Sequence, residues 1–261
     1  MKILVCDRLE EKVLDKFEEL GEITNISESK TKTEDLISNI VNTDIVVIRS
    51  GTKINKDILE NANNLKIIAR CGVGIDNVDI EEATNKKIYV TNSPNANIIS
   101  VAELTIGLII SAARKIHVSN NSLKDKKWNR NKFLGTELYQ KQLGLVGFGK
   151  AAKEVAKRLS AFGMNIVFYD PYVDSSTIEA KKVDLDELLK TSDVISIHVV
   201  KTEETTNLIN NEKLNLIKKG GILVNTSRGG IVDEESLFQK ANEDLIFAGL
   251  DVFSQEPPDI N

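Results

Sequence analysis

The chain alternates two kinds of apolar spacing. Strand-length apolar runs occur at Ile3-Leu4-Val5, Ile23 to Ile26, Asp44 to Ile48, Leu65 to Ala69 and Ile88 to Val90. Between them, Glu10 to Leu20, Glu34 to Val41, Lys56 to Asn61 and a short piece after Asp79 carry apolar residues at helical spacing. Runs that are apolar on both faces, separated by helices, predict a parallel sheet covered by helices. Asn92-Ser93-Pro94 reads as a crossing, so residues 1–93 are expected to form one α/β domain and residues 94–261 a second.

The second half opens with a long apolar helix, Ile99 to Ile116, placing Val101, Leu104, Leu108, Ala112 and Ile116 on one side. It is apolar on more faces than one partner needs. It is therefore either a core helix or an interdomain or subunit contact. Lys124 to Lys132 is basic around Trp128, which suits a solvated face or an anion site. The α/β alternation then resumes. Leu143 to Val146, Ile166 to Tyr169, Asp193 to Ile197, Gly221 to Asn225 and Leu245 to Leu250 are the expected strands.

The stretch from Leu143 to Asp170 carries the most specific chemistry. A strand opens into Gly147-Phe148-Gly149-Lys150-Ala151-Ala152. A helix with Val155, Ala156, Leu159 and Phe162 follows and stops at Gly163, and a second strand ends on Asp170. Strand, glycine turn, helix, strand and acid form a dinucleotide-binding unit. Gly147 permits the turn, Gly149 lets the backbone approach a pyrophosphate at the helix N-terminus, and Ala152 allows close helix–strand packing. The acid can accept hydrogen bonds from a ribose diol and would repel a 2′-phosphate, so NAD is expected rather than NADP.

Ligands in open α/β sheets bind beyond the carboxyl ends of the strands. In the second half those ends deliver His198, then Thr226-Ser227-Arg228-Gly229-Gly230, then Asp251 followed by Glu256-Pro257-Pro258. An arginine there can hold a carboxylate through two hydrogen bonds. In the first half they deliver Arg49-Ser50-Gly51 and Arg70-Cys71-Gly72-Val73-Gly74. Backbone N–H groups of the latter turn could cradle a carboxylate, with Arg49 and Arg70 facing a second anion. Alternatively the two arginines are ordinary surface residues beside a plain turn.

Composition narrows the classes. The chain has 261 residues, 41% hydrophobic and 28% charged, with a net charge of −5. That balance argues against nucleic acid as a general partner. Cys6 and Cys71 offer neither a disulfide framework nor metal-ligand spacing. The longest apolar run, Leu104 to Ala113, is too short and too interrupted to cross a membrane. Met1-Lys2 leads directly into a strand, so a cytoplasmic protein without a signal peptide is expected.

Several stretches together resemble the D-isomer-specific 2-hydroxyacid dehydrogenases. They are Val47-Ile48-Arg49-Ser50, Arg70 to Asp79, Asn92 to Leu104, Lys127 to Leu138, Asn225 to Glu235 and Gly249 to Pro258. The resemblance implies a smaller flavodoxin-like substrate domain, a Rossmann NAD-binding domain and a homodimer formed through the latter. It implies hydride transfer between NAD and C2 of a small, phosphorylated 2-hydroxy acid in a cleft between the domains. Arg228 matches the arginine that orients the substrate carboxylate and carbonyl. Glu256 matches the acid that pairs with a catalytic histidine and raises its pKa. Asp251 matches the residue holding the nicotinamide carboxamide, with His198, Thr226 and Ser227 near the cofactor. Gly72-Val73-Gly74 matches the carboxylate cradle, and Arg49, Ser50, Arg70 and Asn97 are further substrate contacts. Arg130 or Lys132 would reach in from a second subunit.

Two departures accompany the resemblance. The family's general acid–base histidine belongs on a further strand after the Glu-Pro-Pro stretch, whereas this sequence has only His117 and His198. An incomplete C-terminal part is therefore expected. Val200 stands where the family has proline. The expected function is thus a dehydrogenase, with a reductase of the same family or a non-catalytic NAD-sensing protein as alternatives.

Overall fold

A computed structural model describes residues 1–27 and 32–259. The chain divides into two compact units, Met1–Asn97 and Ile98–Asn261, so the break falls at the start of a helix rather than after Ser93.

The first unit runs β1 (Lys2–Val5), α1 (Glu11–Glu18), β2 (Glu22–Asn25), α2 (Thr33–Ile40), β3 (Ile45–Ile48), α3 (Lys56–Glu60), β4 (Ile67–Arg70), α4 (Ile80–Asn85) and β5 (Tyr89–Asn92). Its five strands pair in parallel in the order β2-β1-β3-β4-β5. That is the flavodoxin-like order, whose switch point lies between β1 and β3. Strand side chains alternate between two apolar layers, as a period of two requires. Leu4, Cys6, Val46, Ile48 and Ile68 pack with Leu36, Ile40, Ile58 and Leu59 of α2 and α3. Ile3, Val5 and Val47 pack on the other face with Leu14 and Phe17 of α1. Burial within the first layer pushes the Cys6 thiol up to about 12.

The second unit continues α5 (Ile98–Ala113), α6 (Ile116–Lys124), β6 (Gln142–Val146), α7 (Lys150–Ser160), β7 (Asn165–Tyr169), β8 (Lys181–Lys182) and α8 (Leu185–Thr191). It closes with β9 (Val194–Ile197), α9 (Asn211–Leu214), β10 (Gly221–Asn225), α10 (Glu234–Asn242) and β11 (Ile246–Leu250). Its six parallel strands run β11-β10-β9-β6-β7-β8. Counted from β6, this is the doubly wound 3-2-1-4-5-6 order of the Rossmann fold. The switch point lies between β6 and β9. α5 and α7 cover one face of the sheet through Ala102, Ile109, Val155, Ala156 and Leu159. Leu185, Leu188 and Leu189 of α8 pack with Leu214 and Leu237 on the other.

The long apolar helix is shorter than its sequence predicts. Lys115 takes a left-handed conformation (φ 53°) that ends the hydrogen-bond ladder, and α6 starts afresh at Ile116. The buried stripe of α5 is Ala102, Thr105, Ile109, Ala112 and Ala113. Of the expected stripe, Ala112 is buried whereas Leu104 and Ile116 are 42% and 50% exposed. Among the described residues no helix is long and apolar enough to cross a membrane.

Phe148, within the glycine turn, anchors that turn in the core. Its ring is 0% exposed and stacks on Phe168 of β7 at a centroid distance of 4.0 Å. The Phe148 side chain therefore faces inward, and its backbone is what the turn presents. Phe148→Ala is expected to destabilise the second unit by about 3–5 kcal/mol, as loss of a fully buried ring does. Urea unfolding followed by circular dichroism, with an unchanged slope, would measure it.

Candidate functional site

Pairing register aligns the expected cofactor residues. Val146 pairs with Ile197, Ile197 with Asn225, and Asn225 with Leu250, across β6, β9, β10 and β11. The next residue on each strand, Gly147, His198, Thr226 and Asp251, therefore leaves the sheet at one carboxyl edge, in a row that spans the switch point between β6 and β9.

Gly147 (φ 87°) turns the chain over that edge. A Cβ there would lie 2.9 Å from the His198 carbonyl carbon and oxygen, so only glycine avoids both the strain and the clash. Gly149 is the N-cap of α7 and has no side chain to place over the helix terminus, and a Cβ on it would meet nothing within 4 Å. Open space before a helix N-terminus suits close approach of a phosphate. Lys150 and Ala151 form the first turn of that helix, with Lys150 exposed. Asp170 completes the unit. Its Oδ2 accepts from the Phe148 N–H at 2.8 Å, and its Oδ1 from Tyr172 and Val173 at 2.8 and 3.2 Å. The carboxylate is thereby aimed at the glycine turn, with Oδ2 retaining a lone pair for a diol. Turn, open helix terminus and oriented acid together fit a dinucleotide.

His198 donates its backbone N–H to Val146 at 2.7 Å, and its Nε2 lies 2.9 Å from the Ser196 hydroxyl. Burial around the ring pushes the imidazole down to about 4. At neutral pH it is an uncharged, hydrogen-bonded ring.

The Thr226–Gly230 turn is built on one amide. Asn225, 2% exposed, accepts from the Ser227 N–H (3.0 Å) and hydroxyl (2.8 Å), and donates to the Arg228 carbonyl at 2.8 Å. Thr226 lies 2.8 Å from Thr105 of α5. Because the Thr105 hydroxyl already donates to the Val101 carbonyl (2.7 Å), Thr226 is the donor of that pair. Arg228 is half-buried, and its Nη1 donates to the Ser227 carbonyl at 2.7 Å. Asp251 is exposed and tied by its N–H to the Asn225 carbonyl at 3.0 Å. Glu256 is also exposed, and its Oε1 accepts from the Phe253 N–H at 3.1 Å.

In the first unit, the ends of β1, β3 and β4 gather a second group. Asp7, just beyond β1, accepts the Arg49 N–H at 2.6 Å, and the Arg49 guanidinium reaches the Arg8 carbonyl at 3.4 Å. Asn77 donates to the Arg49 and Thr52 carbonyls at 2.7 and 2.6 Å, which fixes the loop holding exposed Ser50. Burial raises the Cys71 thiol, opposed by the charges of both Arg49 and Arg70. The Asp7 charge acts on the same thiol in the direction of burial, so two cations and one acid lie around the ends of these strands.

The glycine cradle is smaller than expected. The Gly72 N–H is spent on the Arg70 carbonyl (2.9 Å), which leaves exposed Val73 and half-buried Gly74 as the rest of the turn. Asn92 holds that part by donating to the Val73 carbonyl at 2.7 Å. Asn97 is exposed at the end of the unit. Lys132 and Arg130 lie in a 3-10 turn, Arg130–Phe133, away from both groups in sequence.

A sequence model of the family described as D-isomer specific 2-hydroxyacid dehydrogenase, NAD binding domain, matches residues 106–261. The chain belongs to that family. Its second unit contains the whole of the matched region. The D-3-phosphoglycerate dehydrogenase of Methanocaldococcus jannaschii is 46% identical, aligned over 100% of this chain and 50% of that protein. The hydroxypyruvate reductase of Thermotoga maritima is 45% identical over 98% of this chain and 84% of its own length. The crystal structure of the TT0316 protein from Thermus thermophilus superposes with a TM-score of 0.94 at 34% identity, covering 100% of this chain and 85% of that one. Several curated relatives are about twice as long, the chain spanning 47–50% of them.

Asp7 and Asn77 escape a sequence reading of the site. Asp7 lies just past a strand at a sheet edge, a position that could have drawn attention to it. Asn77 carries no such signal.

The depressed His198 pKa gives a pH prediction. The folded state holds the ring neutral, while the unfolded chain protonates near 6.5. Stability from this group is complete above pH 6.5 and is lost as pH falls toward about 4. Relative to His198→Gln, the native protein should lose about 1–3 kcal/mol across that window. Parallel urea titrations at pH 7 and pH 4.5 would reveal it; an equal loss in both proteins would contradict it.

Proposed function

We propose that the protein oxidises 3-phosphoglycerate to 3-phosphohydroxypyruvate with NAD, the first step toward serine. NAD, when bound, accepts the hydride that leaves C2. The observation carrying the proposal is the pairing of two anion-directed groups in one chain. Arg228 stands next to the strand-end row of Gly147, His198, Thr226 and Asp251, while Arg49 and Arg70 stand at the ends of the paired strands β3 and β4. A carboxylate suits the first group and a phosphate the second.

In this reading Gly147, Phe148 (through its backbone), Gly149, Lys150 and Ala151 receive the pyrophosphate. Asp170 receives the adenine-side ribose, and Asp251, Thr226, Ser227 and His198 border the nicotinamide. Arg228 orients the carboxylate and the C2 oxygen by paired N–H donors. Val73 and Gly74 contribute N–H groups toward the substrate carboxylate, and Arg49, Ser50, Arg70 and Asn97 the phosphate side. Glu256 would raise the pKa of a partner imidazole. That imidazole is not His198, whose hydrogen bond to Ser196 and low pKa make it a poor proton acceptor for chemistry at neutral pH. A homodimer through the second unit, with Arg130 or Lys132 reaching the partner's site, belongs to the same proposal, as does a cytoplasmic location.

The likeness to the Thermotoga maritima protein favours a second reading, reduction of hydroxypyruvate or glyoxylate. Substrate comparison separates them. Arg49→Ala should raise the KM for 3-phosphoglycerate at least about tenfold, the value of one lost charge-assisted contact, while sparing unphosphorylated acids. Equal effects on both would remove the phosphate assignment.

Arg228→Ala should reduce turnover by about a hundredfold or more, as loss of an electrostatic transition-state contact does, with NADH affinity nearly unchanged. NADH fluorescence titration beside initial-rate assays checks both halves. A protein that binds NADH and turns over none of these acids would instead be a dinucleotide sensor.

A further inference from the structure

The residues around Arg228 are held by a carboxylate that plays no part in the function proposed above. Glu234 stands at the first position of α10, with Asp233 before it as N-cap. Asp233 accepts from the Ser236 N–H at 3.0 Å and its hydroxyl at 2.7 Å. The helix terminus is thus capped without Glu234, whose side chain reaches back instead. Its Oε1 accepts from the Gly230 N–H at 3.1 Å and from the Ser254 N–H at 2.7 Å, and its Oε2 from the Ser254 hydroxyl at 2.8 Å. One half-buried carboxylate therefore joins the turn after β10 to the segment after β11.

The two segments are also in direct backbone contact. A Cβ on Gly229 would lie 1.9 Å from the Phe253 carbonyl carbon and oxygen and 2.4 Å from the Ser254 nitrogen. No side chain fits there, so the approach depends on glycine. Contact alone is weakly directional, whereas three hydrogen bonds to one charged group fix the relative position. Arg228 is then anchored on both sides: by Asn225 at its own carbonyl and by Glu234 two residues on. On the facing segment, Glu234 holds Ser254, between Asp251 and Glu256.

We infer that Glu234 is a positioning residue that clasps the 251–256 segment onto the Arg228-Gly229-Gly230 turn, setting the geometry of Arg228, Asp251 and Glu256. The clasp is a property of the second unit by itself. Its consequence for substrate rests on the function proposed above.

Amide hydrogen exchange of the whole chain reads the clasp directly. In Glu234→Ala, the Ser254 and Gly230 amides should exchange about tenfold faster, the scale of one lost hydrogen bond to a charged acceptor. Glu234→Gln should restore most of the protection, because its carbonyl still accepts from an N–H. Ser254→Ala, which removes only the hydroxyl bond, should give a smaller change.

Ligand binding reads the consequence. ADP affinity, governed by the glycine turn and Asp170, should be unchanged in Glu234→Ala. Affinity for oxamate in the presence of NADH should fall about tenfold, the same single-contact scale, and recover in Glu234→Gln. Unchanged exchange in Glu234→Ala, or equal disruption by Ala and Gln, would overturn the clasp. Weakening of ADP and oxamate alike would overturn the positioning role in favour of a general structural one. If the native protein with NADH binds neither oxamate nor 3-phosphoglycerate, the proposed function fails, while the exchange data still decide the clasp.

Discussion

Everything at the edge of the second sheet depends on parallel pairing in a single register. Side chains alternate across a strand with a period of two, so a slip of one residue would turn its core side chains toward the opposite face. Strands buried on both faces resist such slips on either side, because each face carries its own packed layer. The row Val146, Ile197, Asn225 and Leu250 is consequently fixed by apolar packing deep in the unit. The residues one step further, Gly147, His198, Thr226 and Asp251, receive their alignment from that packing. The sheet defines where four loops begin, and hydrogen bonds then define where they go.

Those loops cannot be held as the strands are, since turns directed toward solvent have little apolar surface to bury. They are held by polar groups with several bonds each. Asn225 satisfies the Ser227 and Arg228 backbone while buried in β10, and Glu234 joins two loops through one carboxylate. Asp170 joins the glycine turn to the start of the segment after β7. In the first unit Asn77 does the same for the Arg49 loop, and Asp7 and Asn92 each add one bond, to the Arg49 N–H and the Val73 carbonyl. Buried or half-buried groups with several partners are costly to leave unsatisfied, which makes these loop geometries narrow.

This division explains what could be read from the sequence. Strands were legible because runs such as Ile45 to Ile48 and Val194 to Ile197 are nearly all apolar, and Gly147, Gly149 and Asp170 because their roles are local to one strand–helix–strand unit. The end of α5 was not legible. Apolar spacing continues through Ile116, and the left-handed turn falls on Lys115 rather than on a glycine. The inward Phe148 ring was hidden because its partner, Phe168, lies on the neighbouring strand. Asp7, Asn77 and Glu234 were hidden for a related reason. Glu234 meets Ser254 twenty residues later, and Asn77 meets Arg49 twenty-eight residues earlier, separations at which no spacing rule operates.

The two units use the same architecture for different charges. Each is a parallel sheet with a topological switch, and each presents its functional groups past the carboxyl ends of strands. In the second unit, the end of β7 carries an acid, fixed by backbone N–H donors from the glycine turn and from its own loop, with acceptor capacity to spare. That combination accepts donors, as a ribose offers, beside an open helix terminus that attracts a phosphate. In the first unit, the ends of β3 and β4 carry Arg49 and Arg70, with an acid, Asp7, engaged by the Arg49 backbone. That combination offers donors and positive charge to a ligand that is itself acidic. Fold alone would assign either sheet a ligand at its edge; the sign and hydrogen-bonding state of the residues there make the two edges chemically different.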